Sequence, residues 1–167
     1  MLTLIIVAVV LASFGLIAFI GAPYVPTHRS QLRRAFDELR PITESDLVVD
    51  LGSGDGLVLR IAAARGARSL GFELNPMLFG ISLISGMQHK GLMRTKLANY
   101  STVRLPIDTT LIYAFADSRS IKGIRKILER HVKRTQKDVE FLSYGFKLPG
   151  YEPIGETGGM FLYRIKA

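Results

Sequence analysis

The chain has 167 residues, 22 Lys+Arg against 14 Asp+Glu, no cysteine and no tryptophan. That length holds one ordinary domain, and the missing cysteines exclude a disulfide framework, a thiolate zinc site, an iron–sulfur cluster and a cysteine nucleophile. A formal charge of +8 and a pI near 10.0 coexist with a mean hydropathy of +0.24, which implies two unlike regions in one chain.

The first region is the amino end. From Met1 to Ala22 no side chain is charged, and Thr3 and Ser13 are the only polar ones. A helix of about 20 such residues spans the hydrocarbon core of a bilayer, and Pro23 and Pro26 stop it. A cleavable signal peptide would open on basic residues and end a shorter apolar core in small ones; this run starts at Met1 with no Lys or Arg ahead of it. The pattern predicts an uncleaved membrane anchor over residues 1–22. Arg29, Arg33 and Arg34 follow the span and nothing basic precedes it, so the positive-inside rule puts the remainder in the cytoplasm, or in the matrix if the membrane is mitochondrial.

The second region alternates strands and helices. A helix is expected from about His28 to Leu39, with Leu32, Phe36 and Leu39 on one face and Pro41 ending it. His28, at its start, reads as a solvated residue before a functional one. Residues 46–52 (DLVVDLG) read as a buried strand running into the turn Gly52-Ser-Gly-Asp-Gly56. A helix over about 57–65, a strand over 69–73 and a helix from Asn75-Pro76 to about His89 follow. Strands are expected near 95–99 and over 109–115, then a strongly amphipathic helix over 118–134. Strands over 138–146 and 160–166 close the chain, joined by the Gly/Pro-rich hairpin connection LPGYEPIGETGG. This order predicts an α/β fold, a mostly parallel sheet with an antiparallel strand at its end. The domain boundaries are an anchor over 1–22, a lid segment and helix over 23–45, and the α/β domain over 46–167.

The chemistry is concentrated after the first strand. Glycines let a ligand approach the backbone without a Cβ clash, and the free N–H groups of the next helix face its anionic end. Glu73, 21 residues after Gly52 at the end of the next strand, is placed to accept hydrogen bonds from ribose hydroxyls. A dinucleotide fingerprint G-x-G-x-x-G would need glycine at 57; here Leu57 stands there and the glycines fall at 52, 54 and 56, preceded by Asp50. That G-x-G-x-G form resembles motif I of the class I S-adenosylmethionine-dependent methyltransferases, which have a Rossmann-like seven-strand sheet.

The flanks narrow the resemblance. Residues 23–27 (PYVPT) after the apolar run, 49–56 (VDLGSGDG) and 71–76 (GFELNP) together resemble the membrane-anchored, seven-strand lysine methyltransferases whose mitochondrial members modify the ATP synthase c subunit and the adenine nucleotide translocase. The resemblance implies S-adenosyl-L-methionine as cofactor. It implies that Asp50, Gly52, Ser53, Gly54, Asp55 and Gly56 surround the methionine moiety, with Glu73 on the ribose and Leu74 against the adenine. Asn99 would lie near the adenine or the transferred methyl, and Tyr24, Val25 and Thr27 would form a lid. Where that family has Asp-Leu-Trp, this chain reads Asn99-Tyr-Ser101, so the charge at that position is lost.

Asp117 follows the strand 109–115 at the substrate-facing edge of such a fold. It is a candidate substrate contact, with a helix-capping role beside Ser118 as the bland alternative. The segment Ala116-Asp-Ser-Arg119 lacks the Asn/Asp-Pro-Pro-aromatic pattern of base-amino methyltransferases. The expected catalytic residues are therefore Asn99, Asp117 and Thr27. No metal is expected, because His28, His89 and His131 have no ligand-like spacing. The amphipathic helix carries Lys122, Arg125, Lys126, Arg130, Lys133 and Arg134 outside an apolar face. This is a solvated basic face, with attraction to anionic lipid as the functional alternative. Nucleic acid is disfavoured, since no aromatic platform accompanies the charges. The sequence thus predicts a membrane-anchored methyltransferase acting on lysine in a membrane-associated protein. The alternatives are methylation of a lipid, quinone or other small hydrophobic molecule, or a non-catalytic cofactor-binding scaffold.

Overall fold

A computed structural model describes residue 1, residues 3–5 and residues 28–167. The predicted span over 1–22 and the lid residues Tyr24, Val25 and Thr27 lie outside the described residues, apart from positions 1 and 3–5. Among the described residues no helix is long and apolar enough to cross a membrane.

Strand β1 (Leu47–Leu51) is buried at every position, as an uninterrupted apolar run covered on both faces must be. It lies between β2 (Arg68–Glu73) and β4 (Leu111–Phe115), parallel to both. With β3 (Met93–Leu97), β5 (Val139–Tyr144), β6 (Gly155–Thr157) and β7 (Met160–Ile165), these strands form one seven-stranded sheet in the order β3-β2-β1-β4-β5-β7-β6. The first five strands are parallel. β7 runs antiparallel to β5, Val139 opposite Ile165 and Tyr144 opposite Met160, and β6 pairs antiparallel with β7. The predicted mostly parallel sheet with an antiparallel C-terminal strand is the fold observed. Among the described residues the one strand not expected is β6, three residues inside the predicted hairpin connection.

Helices cover both faces. On one lie α1 (Arg29–Arg34), α2 (Leu57–Ala63) and α3 (Pro76–Ser85); on the other lies α4 (Ile121–Thr135). Leu32, Ala35, Phe36 and Ile42 share a core with Val48, Leu111 and Leu142, so residues 28–45 pack into the α/β domain. The helix predicted over 28–39 is α1 continued by a π-helical turn over Ala35–Leu39, closed by Arg40 N–H donating to the Ala35 carbonyl at 2.8 Å. The predicted third helix stops at Ser85, because Gly86 ends it, and a 3₁₀ turn over Met87–His89 completes the span. On the other face Ile121, Ile124, Leu128 and Val132 are buried as expected.

At the N-terminal ends of the parallel strands one ion-pair cluster ties distant segments together. Arg40 Nη2 lies 2.7 Å from Asp46 Oδ1, and Arg40 Nε also reaches Glu140 on β5. Asp46 accepts further hydrogen bonds from Thr43 N–H at 2.8 Å and Thr110 Oγ1 at 2.7 Å. Burial opposes ionisation of Asp46, but Arg40, Thr43 and Thr110 outweigh it and lower its pKa to about 2. A carboxyl held below its unfolded value contributes stability above the unfolded pKa and loses it as pH falls through the folded one. Urea unfolding should therefore show wild-type stability declining from about pH 4 to about pH 2. Asp46→Asn should cost about 1–3 kcal/mol at neutral pH and flatten that decline.

Candidate functional site

The C-terminal ends of β1 and β2 meet at the glycine turn. Gly52, Gly54 and Gly56 have φ of +91°, +54° and +80°, the left-handed region that side chains disfavour. Crowding adds a second constraint at Gly56, where a Cβ would strike the Ser82 and Met93 side chains. The N–H groups of Gly52 and Ser53 both donate to the Phe72 carbonyl, at 2.9 and 3.0 Å, which stitches the turn to β2.

Glu73, buried at the end of β2, closes the stitch. Its Oε2 accepts from Gly54 N–H at 2.7 Å; its Oε1 accepts from Leu74 N–H at 2.8 Å and Asn75 N–H at 2.7 Å. The predicted ribose acceptor thus also holds both turns in place. About four lone-pair directions are available to a carboxylate, and backbone donors occupy three. Asn75 then caps α3, its Oδ1 accepting from Met77 N–H at 2.9 Å, with Pro76 at the first helical position. Leu74 is exposed beside it.

Two polar atoms of the turn are buried with no hydrogen-bond partner, Asp50 Oδ1 and Ser53 Oγ. Such orphans are costly and mark places where another group completes the pairing. Burial first, then the like charges of Glu73 and Asp55, push the Asp50 carboxyl well above the usual range. Gly71 on β2 lets the turn and α2 pack closely on the strand, because a Cβ there would collide with Ser53 Oγ and with Leu59. Asp55 turns away to its own helix. Its Oδ1 accepts from Leu57 N–H at 3.1 Å and its Oδ2 lies 3.0 Å from Arg60 Nη2. These features fit the methionine and ribose portions of the expected cofactor: glycines at the turn and unpartnered polar atoms beside it.

The remaining predicted residues sit around the same edge. Asn99, just past β3, is exposed, and its Oδ1 accepts from Ser101 N–H at 3.0 Å and Ser101 Oγ at 2.8 Å. Its carboxamide is thus engaged in its own turn. Asp117, past β4, accepts from Ser120 N–H at 2.7 Å and Arg119 N–H at 3.1 Å. Asp117 thus closes the turn before α4 and does not cap the helix, whose N-cap position is Ser120 with no side-chain cap hydrogen bond. Hydrogen bonds from Ser120 and Arg119, with the Arg119 charge, hold its carboxyl below the usual range against a small opposing effect of burial.

Sequence reasoning missed Tyr100. Its Cε1 lies 4.0 Å from the position a Cβ on Gly52 would take. Burial, then the nearby Asp117 charge, raise its phenol pKa. Tyr100 therefore stands between the glycine turn and Asp117, bringing together the ends of β1, β3 and β4. The available signal was an aromatic side chain one residue past a strand of a parallel sheet, where such folds bind ligands.

His28 is exposed at the start of α1, whereas His131 is buried with its pKa lowered by burial and by Arg134. Among the described residues no group of His, Asp and Glu side chains is arranged to hold a metal ion. A cavity of about 450 Å³ between residues 102–105 and α4 is lined by Arg104, Arg130 and Arg134 and by none of the predicted site residues.

No protein-family model matches the chain. It is 43% identical over 56 residues to the lysine N-methyltransferase of the ATP synthase c subunit from Xenopus laevis, a match covering 34% of this chain and 24% of that protein. It is 27% identical over 146 residues to the human protein of that name, covering 81% of this chain and 57% of the relative. The chain therefore spans between a quarter and just over half the length of these two relatives. A protein-lysine N-methyltransferase of Saccharolobus islandicus is 26% identical over 135 residues, covering 78% of this chain and 81% of the relative. Among solved structures, an RNA methyltransferase from Salinibacter ruber in complex with S-adenosyl-L-homocysteine superposes with a TM-score of 0.73 at 23% identity, covering 84% of this chain and 92% of the other. Geranyl diphosphate methyltransferase in complex with S-adenosylmethionine gives 0.58 at 16% identity, covering 69% of this chain and 48% of the other. The sheet order, the glycine turn and these likenesses together give the chain the fold of the class I, seven-strand S-adenosylmethionine-dependent methyltransferases.

Proposed function

We propose that the protein is an S-adenosylmethionine-dependent methyltransferase, anchored in a membrane by residues 1–22, that methylates lysine in a membrane-associated protein. The observation that carries this reading is the Glu73 carboxylate tied to Gly54 N–H across a turn of three left-handed glycines. Relatives named as lysine N-methyltransferases support the acceptor. The uncharged run from Met1 to Ala22, followed by Arg29, Arg33 and Arg34, supports an anchor with the α/β domain on the cytoplasmic side.

The bound cofactor supplies a methyl already activated on a sulfonium. The protein has to align the acceptor with it and exclude water. Gly52, Ser53, Gly54 and Gly56 would lie along the methionine moiety, Glu73 would take the ribose and Leu74 would lie against the adenine. An ammonium set against Asp50 offsets the penalty of its burial and draws this carboxyl into its ionised form. Tyr100 and the ionised Asp117 give the acceptor an aromatic wall and a negative charge, which attract a lysine side chain. Asn99 borders the adenine side, and Tyr24, Val25 and Thr27 form the lid between membrane and cofactor.

Three measurements test this. Glu73→Ala should weaken S-adenosylhomocysteine binding about ten-fold or more by calorimetry. Unchanged binding, or no binding by the wild type, would remove the methyltransferase reading. Tritiated cofactor added with purified protein to membranes lacking it should label a protein band, with mass spectrometry identifying methyl-lysine; label in the organic extract would point to a lipid or quinone acceptor instead. Alkaline carbonate should leave the protein in the membrane pellet, and its release would remove the anchor alone.

Asp50→Asn separates binding from folding. Protonation of the buried Asp50 in the folded state persists to higher pH than in the unfolded chain. It therefore lowers wild-type stability as pH rises above about 4. The asparagine variant should escape that loss, unfolding at equal or higher urea concentration at neutral pH while binding the cofactor more weakly.

A further inference from the structure

Helix α3 leaves most of its apolar side chains exposed, with Leu78 and Phe79 half-buried toward the sheet. Its only fully buried side chain is Ser82, whose Oγ lies 2.7 Å from Thr95 Oγ1 on β3. Ser85, one turn on, is bonded to Arg60 and to the Asp55 carbonyl. Met77, Ile81, Leu83, Ile84 and, just past the helix, Met87 point the other way and are 44–73% exposed. Met77, Ile81 and Ile84 follow the i, i+4, i+7 spacing of one face. The patch continues onto Leu74 before the helix and Leu97 at the end of the neighbouring strand, both also exposed. In a soluble protein a helix buries its apolar stripe and solvates its polar one; a contiguous exposed apolar surface marks an interaction site.

The chain around the patch points to the occupant. From Leu74 to Ile107 it has no Asp or Glu. Lys90 follows the 3₁₀ turn at the far end of the helix and is exposed, whereas Arg94 and Lys96, either side of Thr95 on the edge strand β3, point to the other face of the sheet. An apolar face with a lysine at its end and no carboxylate in the segment that forms it complements acyl chains beneath anionic headgroups. The chain also enters the described fold on this side. Leu32 and Phe36, on and just past α1, pack with Val58, Ile61 and Ala62 of α2. α2 and α3 lie on the same face, because Gly71, which faces α2, is paired in register with Thr95, which faces α3. The uncharged segment 1–22 therefore precedes an element on the apolar side of the sheet. The basic face of α4, the other candidate for lipid contact, is on the opposite side, and a planar bilayer meets only one of them.

We infer that α3 is a second membrane contact, lying in the plane of an anionic bilayer with Met77, Ile81, Ile84 and Met87 dipped into the acyl boundary and Lys90 at the headgroups. This rests on the proposed anchor, to which it adds an orientation. The sheet meets the bilayer along its β3 edge, and the cofactor turn next to Leu74 is held at the lipid surface. The site then faces lysines on segments that emerge from the same membrane.

The chain has no tryptophan, so a single introduced indole reports its own position. Full-length Ile84→Trp, and Lys126→Trp on the exposed face of α4, are reconstituted into vesicles of phosphatidylcholine and phosphatidylglycerol, with and without brominated acyl chains. The expected result is blue-shifted emission and loss of intensity in brominated vesicles for Ile84→Trp only. Protein that floats with vesicles while Ile84→Trp emission is indifferent to bromine overturns the inference and leaves the anchor standing. Blue-shifted emission without quenching overturns it too, since residues 6–22, a second copy or another protein would then cover α3. Failure to float removes both the inference and the anchor, while cofactor binding, measured separately, decides the methyltransferase reading.

Discussion

One buried carboxylate sets the geometry on which the cofactor half of the molecule depends. Glu73 accepts one N–H from the turn after β1 and two from the turn after β2. The two crossovers of the sheet cannot shift independently. Every helix on that face starts from one of these turns or packs against a helix that does. A neutral side chain of the same size would offer fewer acceptors to the same three donors, and buried N–H groups without partners are costly.

The two aspartates that bracket β1 show how position along one strand separates structure from chemistry. Asp46, at the N-terminal edge, has an arginine, a threonine hydroxyl and a backbone N–H as partners and stays charged. Asp50, four residues on, has the same burial, two carboxylates for neighbours and an oxygen with no donor. The first arrangement is complete in itself. The second becomes favourable when a cation arrives, the signature of a group kept for a ligand.

Most of this was legible in the sequence because the decisive features are local. The run Asp46–Leu51, the glycines at 52, 54 and 56, and Glu73 at the end of the next strand fall within one β–α–β unit, whose spacing fixes their meeting. What escaped depends on tertiary context. β6 is three residues held by pairing to β7, below the length at which alternation is visible. The π turn at Ala35–Leu39 carries Ala35 and Phe36 in the core, and no propensity marks it. Tyr100 belongs to the site because β3 ends beside β1. The apolar composition of α3 was visible, yet which of its apolar residues stay exposed depends on a sheet that the sequence does not orient.

β7 is the last strand along the described chain, but it lies inside the sheet, between β5 and β6. At every stage of folding before residues 160–165 arrive, β5 has one unpaired edge, with N–H and C=O groups open to any passing strand. The same late strand buries Tyr163, whose hydroxyl receives the Leu148 N–H at 2.9 Å. Docking of β7 thus adds a tie on the connection after β5, beside the one from Arg125 of α4 to the Pro149 carbonyl. The exposure of that edge during synthesis is a hazard of this topology wherever neighbouring nascent strands are close.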